Sequence, residues 1–156
     1  MKKRYKKILA KIKAGLENST YAKKQCLQYI CDILRQEVDH YDWVGFYLLS
    51  DKITQLLELG PFSGAPTDHT EIPFGKGVCG QVAEKEETMV IQDVQHEDNY
   101  LACSLDVKSE IVVPIIKNGK FVGELDIDSH QSAPFGLDDK KFLRKIIKLL
   151  LMKNCI

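Results

Sequence analysis

The stretch from Cys103 to Asp128, CSLDVKSEIVVPIIKNGKFVGELDID, constrains this chain more than any other. Two strand-like runs, Glu110–Ile116 and Phe121–Ile127, flank Lys117-Asn118-Gly119-Lys120, a strong hairpin signal. Along the second run Phe121, Gly123, Leu125 and Ile127 share one face, and Val122, Glu124, Asp126 and Asp128 share the other. Acids at every second position of a strand this apolar would ordinarily mark a solvated outer face. Glu110 on the partner run and the Cys103 thiol just upstream point instead to a site.

Register decides whether these acids meet. A two-residue Asn118-Gly119 loop pairs Lys117 with Lys120 and puts Glu110 opposite Ile127, away from the aspartates. A three-residue loop with Gly119 left-handed pairs Ile116 with Lys120 and brings Glu110 opposite Asp126. Glycine accepts a positive φ in either loop. The three-residue loop gathers Glu110, Asp126 and Asp128 on one face, where packed carboxylates need a cationic partner or a retained proton.

A chain of 156 residues is expected to form one domain, 1–156, large enough for a proper core. Its formal net charge of zero gives no bulk electrostatic reason to expect nucleic acid. Lys2, Lys3, Arg4, Lys6, Lys7, Lys11 and Lys13 make the first turns basic, which is read as a solvated helix face rather than a membrane anchor. Lys11 and Lys13 interrupt the early apolar segment, so it does not read as a secretion signal, and no run reaches membrane-spanning length. Five cysteines leave one unpaired whatever the pairing, which suits a reducing compartment, and a cytoplasmic location is expected.

In chain order, residues 3–14 read as a short amphipathic helix. Ser19 or Thr20 can cap a second helix running to about Val38, with Ala22, Cys26, Leu27, Ile30, Ile33 and Leu34 as its apolar stripe. Trp43–Leu49 is a strand with Trp43, Gly45 and Tyr47 on one face; the glycine between two rings leaves a hollow a small ligand could fill. Ile53–Leu59 is its hairpin partner. Residues 60–77 form a long Gly- and Pro-containing excursion, and Val78–Lys85 a short helix. Cys79 falls in the first turn of that helix, where free N–H groups and the helix dipole favour a thiolate. Thr88–Gln92 is a strand, and the last helix runs from about Leu137 to Met152. No dozen-residue helical pattern separates successive strands, so parallel crossovers are not expected and the fold reads as α+β: an antiparallel sheet of about six strands, terminal helices on one face, loops over the other. No metal is expected, because His40, His69, His96 and His130 are scattered and no CxxC or HxxxH spacing occurs. No cofactor is expected either; GKGVCG has neither Walker nor GxGxxG spacing.

The segments WVGFYLL, LGPFSG, IPFGKGVCG, LACS, SEIVVPI and GELDIDS, in this order from Trp43 towards Leu150, resemble the GAF domain. Within that fold they resemble the free methionine-(R)-sulfoxide reductases. The resemblance implies a catalytic cysteine that attacks the sulfoxide sulfur, a second cysteine that resolves the sulfenic acid as a disulfide, and thioredoxin as reductant. By matching motif, Cys103 in LACS would be the nucleophile and Cys79 in GVCG the resolving cysteine, although the helix-terminal place of Cys79 leaves the reverse open. Trp43 and Tyr47 would wall the methyl–sulfur end of the substrate; Glu110, Asp126 and Asp128 would hold its polar groups. A homodimer is expected, with neither nucleic acid nor membrane as partner. Many relatives carry another cysteine between GPF and FGKG; here that loop reads SGAPTDHTEIP and offers Asp68 or His69 instead. The alternative is a GAF sensor that binds a small molecule without turnover.

The residues themselves support such chemistry. Sulfoxide reduction needs a thiolate and an acid for the departing oxygen. Clustered carboxylates titrate apart, so one can hold a proton at neutral pH while another binds an α-ammonium group.

Overall fold

The computed structural model describes residues 1–101 and 106–156. Two helices open the chain, α1 (Lys3–Glu17) and α2 (Lys23–Glu37), followed by strands β1 (Trp43–Leu49), β2 (Leu56–Ser63) and β3 (Glu71–Pro73). Helix α3 (Gly77–Lys85), strand β4 (Met89–Ile91), the long pair β5 (Ser109–Lys117) and β6 (Lys120–Ser129), and helix α4 (Leu137–Met152) complete it. Among the described residues the strands form one six-stranded sheet, ordered β3-β2-β1-β6-β5-β4, with antiparallel neighbours throughout.

Alternation along the strands separates two apolar layers. Val44, Phe46, Ile111, Val113, Ile115, Leu125 and Ile127 pack against the buried stripes of α1, α2 and α4. Tyr5 of α1 stacks on Phe142 of α4 with ring centroids 4.4 Å apart, so the first and last helices meet on this face as expected. On the opposite face Trp43, Tyr47, Leu57, Val112 and Phe121 pack with Val78, Cys79 and Val82 of α3. No helix among the described residues is long and apolar enough to cross a membrane.

Several boundaries differ from expectation. The cap of α2 is Ala22, not Ser19 or Thr20; the Gln25 side chain accepts the Ala22 N–H at 2.9 Å. Strand β2 starts three residues late and runs into the GPFS motif, because Ser50 to Gln55 are spent on the turn. The excursion after it is partly ordered into β3, which adds to the sheet edge.

The β5–β6 hairpin corrects the register in a useful way. Its turn has two residues, Asn118 (φ 52°) and Gly119 (φ 76°), pairing Lys117 with Lys120 and Ile116 with Phe121. The three-residue loop is absent, yet the acids still share a face. A bulge supplies the missing residue: Ile115 pairs with Gly123, so Val122 is skipped and Glu110 falls opposite Asp128. The bulge also reassigns the first residues of β6. Phe121 packs on the α3 side and Val122 on the side of the helical layer, the reverse of simple alternation.

Candidate active site

Helix α3 crosses the face of β5 and β6 that carries the acids. Its start is pinned from two directions. The Gly77 N–H donates to Asn99 Oδ1 at 2.8 Å, and Asn99 Nδ2 donates to the Gly75 carbonyl at 2.8 Å. Gly77 itself takes φ +64°, and a Cβ there would come within 2.9 Å of the Leu101 side chain, so the motif needs glycine at this point. This anchoring buries Cys79 against the sheet, with its Sγ 3.9 Å from Glu110 Oε1.

Cys79, Glu110 and Asp126 line one narrow recess together with Tyr47, His69 and Leu101. The Tyr47 hydroxyl donates to the His69 carbonyl at 2.8 Å, tying the loop before β3 to the floor of the site. Asp128 and Trp43 border an adjoining recess beside Arg35 and Asp42, so the expected substrate residues are divided between two neighbouring hollows. Tyr47 lines the first and Trp43 the second, with their rings 6.3 Å apart and 29° from parallel. The hollow expected over Gly45 is filled by Trp43, because a Cβ on Gly45 would lie 2.2 Å from the indole ring. That glycine makes room for a neighbouring side chain rather than for a ligand. The Trp43 Nε1–H donates to the Ala65 carbonyl at 3.0 Å and fixes the ring there.

Burial sets the electrostatics. Glu110 is driven well above the usual carboxylate range by loss of solvent and by the charges of Asp126 and Asp128, and as the protonated partner it donates a hydrogen bond to Asp126. Burial also raises Asp126, to about 6, against hydrogen bonds from Glu110 and Cys79 that favour its anion. Glu124, fully buried between Tyr47 and Pro114 on the neighbouring strands, is pushed well up by desolvation. Its two oxygens and Asp126 Oδ1 have no hydrogen bond of ordinary geometry among the described residues; the Cys79 thiol approaches Glu124 without making one. The thiolate expected of Cys79 is overturned. Desolvation, then the charges of Asp126, Glu124 and Glu110, hold it as a thiol despite its helix-terminal position.

The face therefore brings together Cys79, Glu110 and Asp126, with Tyr47 beside them and Trp43 and Asp128 at the margin. Cys103, the expected nucleophile, lies outside the described residues. Glu124 is a member of this face that sequence reasoning placed among the alternating acids but gave no role. A second buried carboxylate, Asp139 on α4, was not singled out; it accepts from Tyr5, Tyr41 and His40, three residues scattered in sequence. Ligand atoms of Cys79, Glu110 and Asp126 all lie within 4.8 Å of one another, a grouping that could hold a metal ion and that separations of 31 and 16 residues do not reveal.

The chain is similar to known proteins over most of its length. The GAF domain family model matches residues 24–150. The chain is 44% identical over 116 residues to the free methionine-R-sulfoxide reductase of Saccharomyces cerevisiae, an alignment covering 74% of this chain and 63% of that one. The chain thus spans less than two thirds of the yeast relative. It is 36% identical over 118 residues to the free methionine-R-sulfoxide reductase of Escherichia coli, covering 76% and 69%. The crystal structure of a free methionine-R-sulfoxide reductase from Neisseria meningitidis in complex with its substrate superposes with a TM-score of 0.89 at 35% identity, covering 98% of this chain and 90% of that one.

Proposed function

Because the chain belongs to the GAF-domain family, and within it to the free methionine-R-sulfoxide reductases, we propose that it reduces free L-methionine-(R)-sulfoxide to methionine. The observation that carries this reading is the buried Glu110–Asp126 pair facing Cys79. A protonated carboxyl and an ionisable one side by side provide both a proton for a departing oxygen and a negative charge for an ammonium group. A free amino acid presents that ammonium beside its sulfoxide-bearing side chain, whereas a residue inside a peptide has none.

In the proposed cycle the Cys103 sulfur attacks the sulfoxide sulfur. An S–S bond forms between them and Glu110 protonates the sulfoxide oxygen. The substrate's S–O bond then breaks as that oxygen bonds to the Cys103 sulfur, and the transient S–S bond breaks with its electron pair going to the substrate sulfur. Cys103 is left as a sulfenic acid. Methionine leaves, reduced by two electrons. Cys79 then attacks the sulfenic sulfur, a disulfide forms, and the oxygen departs as water with the proton of the Cys79 thiol. Thioredoxin, as a dithiol, exchanges with this disulfide and restores both thiols. With Cys79 held protonated by its surroundings, the first attack belongs to Cys103 rather than to Cys79. Trp43, Tyr47 and Asp128 complete the pocket around the side chain and the ammonium end. The full chain, 1–156, acts in this scheme as one GAF domain, in the cytoplasm and as a homodimer.

The test is oxidation of a dithiol, thioredoxin included, in the presence of each resolved epimer of free methionine sulfoxide. The (R) epimer should drive turnover and the (S) epimer should not. Cys103→Ser should lose even the first equivalent of methionine, while Cys79→Ser should keep it and recycle slowly. Tight binding of the sulfoxide with no methionine formed by the reduced wild-type protein would instead identify a GAF sensor.

A further inference from the structure

We propose that Cys79, Glu110 and Asp126 form a binding site for a zinc-class divalent ion within the recess. One sulfur and two carboxylate oxygens lie within 4.8 Å of one another, all three residues are buried, and they come from α3, β5 and β6, three elements locked together by the core. The donor set selects the metal. A thiolate with two carboxylates suits Zn²⁺ or Co²⁺, while Mg²⁺ and Ca²⁺ favour all-oxygen shells.

Distance supports the same assignment. Zn–S and Zn–O bonds of about 2.3 and 2.0 Å set a sulfur–oxygen separation of about 3.5 Å in a tetrahedral site. Cys79 Sγ and Glu110 Oε1 stand 3.9 Å apart, about 0.4 Å wider than that, and with all three ligand atoms within 4.8 Å of one another the site closes on an ion by side-chain adjustment. An independent feature also points to a missing ligand. Asp126 is 1% exposed, lines the recess, and its Oδ1 makes no hydrogen bond of ordinary geometry among the described residues, the protons nearest its carboxylate being those of Glu110 and Cys79 that a metal would replace. A buried carboxylate oxygen left unpaired is costly, and a cation would satisfy it. On binding, the metal displaces the protons of the Cys79 thiol and the Glu110 carboxyl to solvent and takes three anionic ligands, leaving a fourth position for water.

The site overlaps the groups assigned above to the substrate, and so metal and methionine sulfoxide exclude each other; this consequence alone rests on the proposed reductase function. Metal binding itself stands on geometry and is read without turnover.

The experiment is anaerobic titration of the reduced, metal-free protein with Co²⁺. A thiolate-to-cobalt absorption in the near ultraviolet, with four-coordinate bands in the visible, should saturate at one equivalent. Zn²⁺ should abolish it, and excess Mg²⁺ should not. The absorption should persist in Cys103→Ser and vanish in Cys79→Ser. Asp126→Asn and Glu110→Gln, which preserve side-chain shape, should each weaken Co²⁺ at least tenfold while circular dichroism shows the fold retained. No saturable binding, a band that survives Cys79→Ser, a band lost in Cys103→Ser, or unchanged affinity in both amide variants would each overturn the site. Loss of sulfoxide reduction on adding Zn²⁺, reversed by a chelator, tests the exclusion separately.

Discussion

Cys79 Sγ lies 3.9 Å from Glu110 Oε1, with both side chains sealed from solvent between α3 and the sheet. A thiol in such a place is kept protonated by burial first, then by the carboxylates of Asp126, Glu124 and Glu110. Alkylation of Cys79 in the reduced folded protein at neutral pH should therefore be much slower than that of a free cysteine. Asp126→Asn removes the strongest of the neighbouring charges, which lowers the thiol's pKa and raises the thiolate fraction. Its alkylation, followed by peptide mass mapping, should speed up several-fold. An equal or slower rate in that variant would mean that Asp126 does not act on the thiol.

Stability should respond to pH in two opposed ways. Burial pushes Asp139 up, but hydrogen bonds from His40, Tyr5, the Gly136 N–H and Tyr41 outweigh it and hold this carboxylate well below its usual range. A carboxylate lowered on folding contributes stability above its unfolded pKa and loses it as pH falls below about 4. Asp126 has the opposite sign. Raised from 3.8 to about 6, it contributes fully below about pH 4 and loses that contribution as pH rises to about 6. The rise corresponds to on the order of 3 kcal/mol. Asp126→Asn should flatten the fall in urea-unfolding free energy between about pH 4 and 6. Tyr5→Phe, which removes the 2.6 Å hydrogen bond to Asp139, should cost about 1.5–3 kcal/mol at neutral pH, where Asp139 is ionised.

The acidic face could be read from the sequence because strand alternation is local: Glu124, Asp126 and Asp128 share a side once β6 forms. The way Glu110 joins them could not. The bulge rests on Val122, an ordinary strand residue carrying no mark, and the Asn118-Gly119 turn suited both of the registers considered. The helix-terminal setting of Cys79 was legible, but its surroundings are not, since the acids that suppress its thiolate come from 31 and more residues away. The same holds for Gly45, whose vacancy is taken by Trp43 on its own strand through a side-chain rotation that no pattern specifies. Asp139 escaped for a related reason. On α4 it sits among other charged residues in sequence, and only the packing of α1 against α4 delivers Tyr5 to it.

The bulge gives an unusual expectation for a strand interior. Deleting Val122 leaves Ile116 opposite Phe121 and Ile115 opposite Gly123, now as consecutive pairs, and it preserves Glu110 opposite Asp128. The lost packing is that of one half-buried valine, about 1–2 kcal/mol. Deleting Leu125 instead shifts every later residue of β6 to the opposite face and removes a fully buried side chain. Thermal unfolding should show a modest fall for the first deletion and loss of cooperative folding for the second. Comparable damage from both would mean that the bulge is itself required by the fold.

Selectivity against an N-acetylated substrate tests the carboxylates directly. Acetylation of methionine-(R)-sulfoxide removes the ammonium charge and adds bulk in a closed recess lined by Glu110 and Asp126. Losing one partner of a buried, charge-assisted contact costs about 2–5 kcal/mol, so kcat/KM for the acetylated compound should be at least roughly thirtyfold lower. The amide variants sharpen the attribution. Glu110→Gln removes the acid for the departing oxygen and should depress both substrates together. Asp126→Asn, by contrast, keeps side-chain shape while removing the charge and should depress use of the free amino acid far more than use of its acetylated form. The ratio of the two kcat/KM values then falls towards one, a change that general damage to the fold would not produce, since such damage lowers both together. Equal rates on the two substrates in the wild-type protein would remove the carboxylates from the recognition of the ammonium group.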